Sequence, residues 1–271
     1  FSGMDVQRLF DPYIFALNQK ERKIATIYPD IVADRSWGIV DKFRYQIAPP
    51  QYELGVQPHY ATEKAVARRE LSKFKLVIAC ETTYVSDSTY QGVLDYVNNG
   101  GTAIMLTNSF ARTKYNDPRD TSELMSAWGW EEYAVSGAVS KAVGKGRVIA
   151  IMPPLNDKGE IDGGALRNLY TRVFDQAMTD LDLHDPVRLV HKDIVAPTPL
   201  KGVDVRCAKV GNGYVLAVIG ETYGDGNIIT PVRLETQGKI KRITDLINNA
   251  EVPVDDFKLL PVANLFLIEI E

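Results

Sequence analysis

Histidine and cysteine are scarce: the 271 residues hold three of the first and two of the second. None is spaced as a zinc site requires, with clustered His, Cys or carboxylate ligands, so no structural metal and no cofactor are expected. Cys80 and Cys207 lie far apart, each in an apolar strand-like run, and read as buried free thiols. No apolar run approaches the ~20 residues of a membrane-spanning helix, so no membrane partner is expected. Basic residues are not in excess either. The 31 Lys and Arg against 35 Asp and Glu leave a net charge of −4, which argues against a nucleic-acid partner. The densest basic stretch, Lys64 to Lys75, is broken by Glu70 and reads as a solvated helix face. The amino terminus lacks the basic–apolar–small pattern of a secretion signal. A soluble protein is expected, in a compartment the sequence does not name.

What is present is concentrated in residues 71–109, LSKFKLVIACETTYVSDSTYQGVLDYVNNGGTAIMLTNS. Lys75 to Cys80 is a short apolar run, as for a strand covered on both faces. Ser86 or Asp87 can cap a helix whose Tyr90, Val93, Leu94 and Val97 fall on one face. Asn98, Asn99 and the Gly100-Gly101 pair end it, and Thr102 to Leu106 is the next strand.

Around this unit, strands alternate with helices up to about Leu183, the pattern of an α/β domain with a parallel sheet. The spacing predicts a leading helix over residues 4–20, a strand from Ile24 to Tyr28 and a helix from Ala33 to Tyr45. The proline-rich residues 46–60 are expected to form a loop with a short strand near Tyr52 to Val56. A polar loop from Ala111 to Asp120, a short helix from Thr121 to Trp128 and a strand from Gly146 to Met152 follow. A long helix starts near Asp162, and its Leu166, Leu169, Tyr170, Val173, Phe174, Ala177, Met178 and Leu181 form a core stripe. From about Pro186 the pattern becomes β: VDVRCAKV and YVLAVIGE flank a GNG turn at 211–213, followed by strand-like runs at Val232 to Leu234, Ile240 to Thr244 and Leu265 to Ile270. Two domains are expected, α/β over 1–185 and a small antiparallel β-sandwich over 186–271.

The 71–109 unit resembles the class I glutamine amidotransferase-like fold, in which a helix ending "yvxxGG" feeds such a strand. The resemblance implies a flavodoxin-like parallel sheet. The order of all the pieces resembles the carboxy-terminal half of family-42 β-galactosidases and related glycoside hydrolases. RKIATIYPDIVADRSWGI (22–39), LSKFKLVIACETTYVS, YVNNGGTAIMLTNS, AWGW (127–130), GKGRVIAI and the terminal KIKRITDLINNAEVPVDDFKLLPVANLFLIEIE carry that likeness. Cys80 stands where the family pattern has proline, and residues 46–70 depart from it. The resemblance implies an amidotransferase-like trimerisation domain and a closing β-domain, hence a homo-oligomer, with a catalytic (β/α)8 barrel ahead of them.

That barrel needs ~250 residues and eight strand–helix repeats, and about five repeats are visible here. The chain is therefore expected to be a non-catalytic accessory and oligomerisation region of a glycoside hydrolase. A rival reading is a small-molecule hydrolase or amidase. It needs a nucleophile on a sharp strand-to-helix turn, an oxyanion hole and an oriented imidazole. Its candidates are Cys80, Ser109, His191 and Asp193, yet the strand expected to carry the turn, Thr102 to Leu106, is followed by Thr107-Asn108-Ser109-Phe110 without a cysteine. A third reading is a carbohydrate-binding module using aromatic faces and neighbouring polar groups. Trp37, Trp128, Trp130, Tyr84 and Tyr115 are the candidate rings, of which Trp37 and Trp128 fall on helical faces and are expected in the core. Tyr84, Asn108, Arg112 and Tyr115 lie just past the carboxyl ends of strands, where open parallel sheets place ligands, and form the expected binding surface.

Overall fold

In a computed structural model, residues 3–28, 30–31, 37–126, 128–192, 200, 202–220, 232–259 and 264–271 are described. The chain divides into two compact units, one of residues 22–51 and 58–183, the other of 1–21, 52–57 and 184–271. No helix among the described residues is long and apolar enough to cross a membrane.

The first unit holds β1 (Ile24–Ile27), β2 (His59–Ala61), β3 (Leu76–Ala79), β4 (Tyr84–Val85), β5 (Thr102–Leu106), β6 (Arg112–Thr113), β7 (Glu131–Glu132), β8 (Ala138–Val143) and β9 (Gly146–Ile151). Its main sheet has the order β2-β1-β3-β5-β9-β8-β7. The first five strands are parallel; β8 runs antiparallel to β9, and β7 antiparallel to β8. Every residue of β1, β3 and β5 is buried, as expected where helices cover both faces. The order reverses at β1: the chain passes to β2 on one side and to β3 on the other. The carboxyl ends of β1 and β3 are thus the switch point at which open parallel sheets place ligands.

Local chemistry explains the main helices. Ser86 accepts the Thr89 N–H and caps Asp87–Asn98, which buries Tyr90, Val93, Leu94 and Val97 on the sheet. Asp162 accepts the Ala165 N–H and caps Gly163–Asp180, whose stripe from Leu166 to Met178 is buried. The proline-rich segment differs from expectation. The helix Trp37–Lys42 continues as a π turn over Phe43–Ile47 and an α-helix over Ala48–Glu53, and the strand lies later, at β2. The Ala48 N–H reaches the Phe43 carbonyl, and Pro49 and Pro50, which have no N–H to donate, open the next turn. The short helix is Ser122–Met125 rather than one running to Trp128. β8 had no clear alternation in sequence; it forms a hairpin with β9 through Gly144, whose φ is +57°.

In the second unit, β10 (Val187–His191), β11 (Val203–Val210), β12 (Gly213–Gly220), β13 (Val232–Thr236), β14 (Ile240–Asp245), β15 (Ala250–Val252) and β16 (Asn264–Ile270) form antiparallel sheets. The orders are β11-β12-β16-β14-β15 and β10-β13. β11 and β12 meet at a two-residue turn whose first residue, Gly211, has φ +54°, the left-handed conformation such hairpins require. One apolar cluster joins Val187, Leu189 and Val232 to Val205, Leu216, Phe266 and Ile268. The opposite face of the larger sheet places Ala208, Val215 and Ala217 against Leu17. The leading helix, Gly3–Gln19, thus packs with the β unit and not with the parallel sheet, because its apolar residues face those small side chains.

Candidate functional site at the carboxyl end of the parallel sheet

The loops that follow β3 and β5 are tied together. The Ser109 hydroxyl donates to the Ala79 carbonyl (2.8 Å) and accepts the Leu106 N–H (3.1 Å). The Phe110 N–H donates to the Thr82 carbonyl and the Arg112 N–H to that of Thr83. These bonds align β4 with β6 and set Tyr84 directly opposite Arg112. Phe110 has φ +62°, and its buried ring meets Tyr90 edge-on. Arg119 locks the assembly from outside. Its side chain is only 6% exposed, donates to the Val85 carbonyl at 2.8 Å, pairs with Asp87 at 2.9 Å and lies over the Tyr90 ring.

Tyr84, Asn108, Arg112 and Tyr115 therefore share one loop pair. Asn108 is exposed on the turn after β5, and Arg112 donates to the Asn116 carbonyl. Tyr115 is 71% exposed, with the Lys114 ammonium 4.8 Å from its ring centre. Trp128 is not in the core: it is 84% exposed, because the helix expected to bury it stops at Met125. Trp130 is half-buried, donates to the Ser126 carbonyl and lies under Lys141. The side chain of Trp37 lies outside the described residues.

Neither Cys80 nor Ser109 is presented as an attacking group. Cys80 is fully buried at the end of β3, its sulfur 4.0 Å from the Ile104 carbonyl. Burial, and then the adjacent Glu81 carboxyl, push its thiol well above the ordinary range, opposite to what an attacking thiolate needs. Both hydrogen-bonding capacities of Ser109 are used by the backbone. His191 belongs to β10 in the other unit, its side chain outside the described residues, as is Asp193. The histidine of the parallel-sheet unit, His59, begins β2 and stacks on Phe74. Among the described residues of this unit, no imidazole orients a nucleophile. Burial also pushes the Cys207 thiol up to about 12. Native protein is therefore expected to resist iodoacetamide at both thiols, with both labelled only in denaturant. Fast labelling of Cys80 in folded protein, read by mass spectrometry, would reverse this.

The groups that sequence reasoning missed are the buried polar side chains of Thr26, Gln51, Glu63 and Glu81. Glu81 follows β3 with φ +59°, is 4% exposed, and its Oε1 has no hydrogen-bond partner. Thr26 donates to Gln51, which donates to the Ile47 carbonyl. Glu63 accepts the Ile31 N–H and the Thr89 hydroxyl. Burial raises the carboxyls of Glu81 and Glu63; Lys42 partly opposes the shift at Glu81, and hydrogen bonds oppose it at Glu63. Each folded value thus lies above the unfolded one. Stability is then highest below the ordinary glutamate value of 4.5 and falls as pH rises through the raised folded values. Glu81→Gln is expected to raise the melting temperature at about pH 8 and leave it nearly unchanged at about pH 4. Melts of wild type and variant across that range provide the check. The signal was a carboxylate directly after a buried run, IACE.

No protein-family model matches the chain, and no curated protein matches it. Solved structures do. An exo-carrageenase of family GH42 from Bacteroides ovatus is 15% identical, with a TM-score of 0.65, over 96% of this chain and 31% of that one. The GH42 β-galactosidase Gan42B from G. stearothermophilus is 16% identical, with a TM-score of 0.59, over 92% of this chain and 40% of its own. An α-L-fucosidase from Paenibacillus thiaminolyticus is 10% identical, with a TM-score of 0.52, over 98% and 51%. The chain spans roughly a third to a half of these proteins' lengths. Nearly all of it thus has a fold found as one part of GH42 β-galactosidases and related glycoside hydrolases.

Proposed function

We propose that this chain is a non-catalytic accessory and oligomerising region of a β-galactosidase-type glycoside hydrolase, working beside a separate catalytic barrel. One observation carries the reading: the likeness to GH42 proteins and other β-galactosidases runs over 91–96% of this chain but only 31–41% of theirs. Numbered in chain order, the five parallel strands lie 2-1-3-4-5, the order of flavodoxin-like sheets. That supports a class I amidotransferase-type domain for the first unit, and the core shared by the antiparallel sheets supports a β-sandwich for the second. The corner after β5, where an amidotransferase-like enzyme would mount its nucleophile, offers an exposed Thr107 and Asn108 and a hydrogen-bonded Ser109. The scaffold supports assembly better than amide hydrolysis. Light scattering on the purified chain is expected to give three times 30.2 kDa, with no turnover of nitrophenyl glycosides. A monomer, or glycoside cleavage by this chain alone, would sink the proposal.

Carbohydrate binding on the loop surface is a second reading, favoured by the exposed rings of Tyr115 and Trp128. Glycan-array binding abolished in Tyr115→Ala would establish it.

A further inference from the structure

A cavity of about 700 Å³ opens at the amino ends of β3 and β5, at the opposite end of the parallel sheet from the loops described above. Its size falls within the range of roughly 300–1,000 Å³ usual for small-molecule sites. Its walls come from the turn Glu70–Lys73, the end of the helix Asp87–Asn98 and the residues that close the helix Gly163–Asp180. All of them belong to the parallel-sheet unit.

Part of the lining is apolar and fixed. Phe74 and Tyr96 present the small part of their rings that packing leaves uncovered, and Leu181 is half-buried beside them. The Tyr96 hydroxyl donates to the Thr102 carbonyl at 3.2 Å, and its ring fills the space of a side chain at Gly101, where a Cβ would lie 2.2 Å away.

Five charged side chains line the cavity, and the fold pairs three of them. Arg69 meets Asp95 at 2.5 Å and also donates to the Ala67 and Ser88 carbonyls. Asp180 accepts from Arg147 and from the Tyr133 hydroxyl. Lys75 and Asp182 are left over. Both are exposed, and neither side chain makes a hydrogen bond or ion pair among the described residues, including with the other. Asp182 has φ +51°, and its N–H donates to the Thr179 carbonyl, so its carboxyl leaves a fixed backbone corner.

One unpaired surface charge is ordinary, because water solvates it. Two of opposite sign on the walls of one cavity, with an apolar lining between the helix ends, select by charge. A purely cationic ligand would meet Lys75 as a like charge, and a purely anionic one would meet Asp182. A neutral ligand would use neither. No group of three or more metal-ligating side chains occurs among the described residues. A zwitterion answers both charges at once.

We infer that this cavity binds a free α-amino acid with an apolar side chain, its carboxylate on Lys75, its ammonium on Asp182 and its side chain on Phe74, Tyr96 and Leu181. The site is distinct from the Tyr84–Tyr115 loop surface, and it is independent of whether the chain oligomerises.

Saturation-transfer NMR on the full chain tests it with L-phenylalanine and L-leucine as probes. Transfer to at least one of them is expected. The affinity should fall about tenfold or more in both Lys75→Ala and Asp182→Asn, the loss of one charge-assisted hydrogen bond at each position. Asparagine tolerates the left-handed conformation, so Asp182→Asn removes the charge without disturbing the backbone. The amine and the acid that each keep one charge of the bound amino acid, phenethylamine and hydrocinnamate or isoamylamine and isocaproate, should bind weaker by a similar factor. That comparison uses the unaltered protein and decides even if a variant fails to fold. Tyr115→Ala should leave binding unchanged. Absence of transfer to both amino acids, affinity unchanged in either charge variant, an analogue that binds as well as its amino acid, or binding lost in Tyr115→Ala would each overturn the assignment.

Discussion

Gly146→Ala is expected to destabilise the parallel-sheet unit by about 3 kcal/mol, near the upper end of what overpacking usually costs. β9 begins at Gly146, pressed against the end of the helix Asp87–Asn98. A Cβ there would lie 2.2 Å from the Gly101 carbonyl oxygen and 2.3 Å from that of Val97. Both obstacles are backbone, and both are already engaged. The Gly101 carbonyl accepts the Arg147 N–H, and the Val97 carbonyl accepts the Gly100 N–H that closes the helix. Neither can retreat without opening the helix terminus or the entry to β9. Gly164→Ala is the control. Its nearest contact is an ordinary 3.5 Å to the Asp162 side chain, and it lies in the first turn of a helix, so it is expected to be neutral or slightly stabilising. Urea unfolding of the two variants should separate them clearly, and equal midpoints would refute the close approach.

Ser109→Ala carries the next largest effect, about 2 kcal/mol of lost stability, because it leaves the buried Leu106 N–H without its acceptor and takes from the Ala79 carbonyl one of two hydroxyl donors, the other being Thr82. A nucleophilic serine and a structural serine make opposite demands on this experiment. A nucleophile could be replaced by alanine with little change in stability and total loss of hydrolysis. A hydroxyl that bridges the ends of β3 and β5 cannot be removed without loosening both loops. Hydrogen exchange at the Leu106 amide is expected to quicken in Ser109→Ala while distant amides in β1 stay protected. An unchanged unfolding midpoint would return Ser109 to the list of reactive groups.

The two effects mark where local pattern stopped being informative. Ser86, Tyr90, Val93, Leu94 and Val97 announced their helix because capping and one-face periodicity are local properties, and Thr102 to Leu106 announced a strand for the same reason. Trp128 was misplaced because its burial depended on where the helix ended, and the helix stops at Met125. The double proline at 49 and 50 was read as loop. It opens a helical turn instead, since two residues without N–H groups are tolerated there. The leading helix was grouped with its sequence neighbours, but its apolar face fits Ala208, Val215 and Ala217, residues about 200 positions away on the chain. At the candidate sites, the association of Tyr84, Asn108, Arg112 and Tyr115 was legible because all four follow strands of one parallel unit. The burial of Glu81 was not, since nothing in sequence tells a solvated carboxylate from one closed off by packing.

By itself the sequence determined the alternation of strand and helix, the turn to β structure near Pro186, and the lack of a cysteine after β5. Each is written in residues close together in the chain. Only the tertiary structure decided that Cys80 is sealed, that Ser109 is hydrogen-bonded to backbone, that Trp128 faces solvent, and that the Glu81 carboxyl is buried with Oε1 unpartnered. Burial, hydrogen-bond satisfaction and pKa depend on what long-range packing brings alongside a side chain, and no local pattern specifies that.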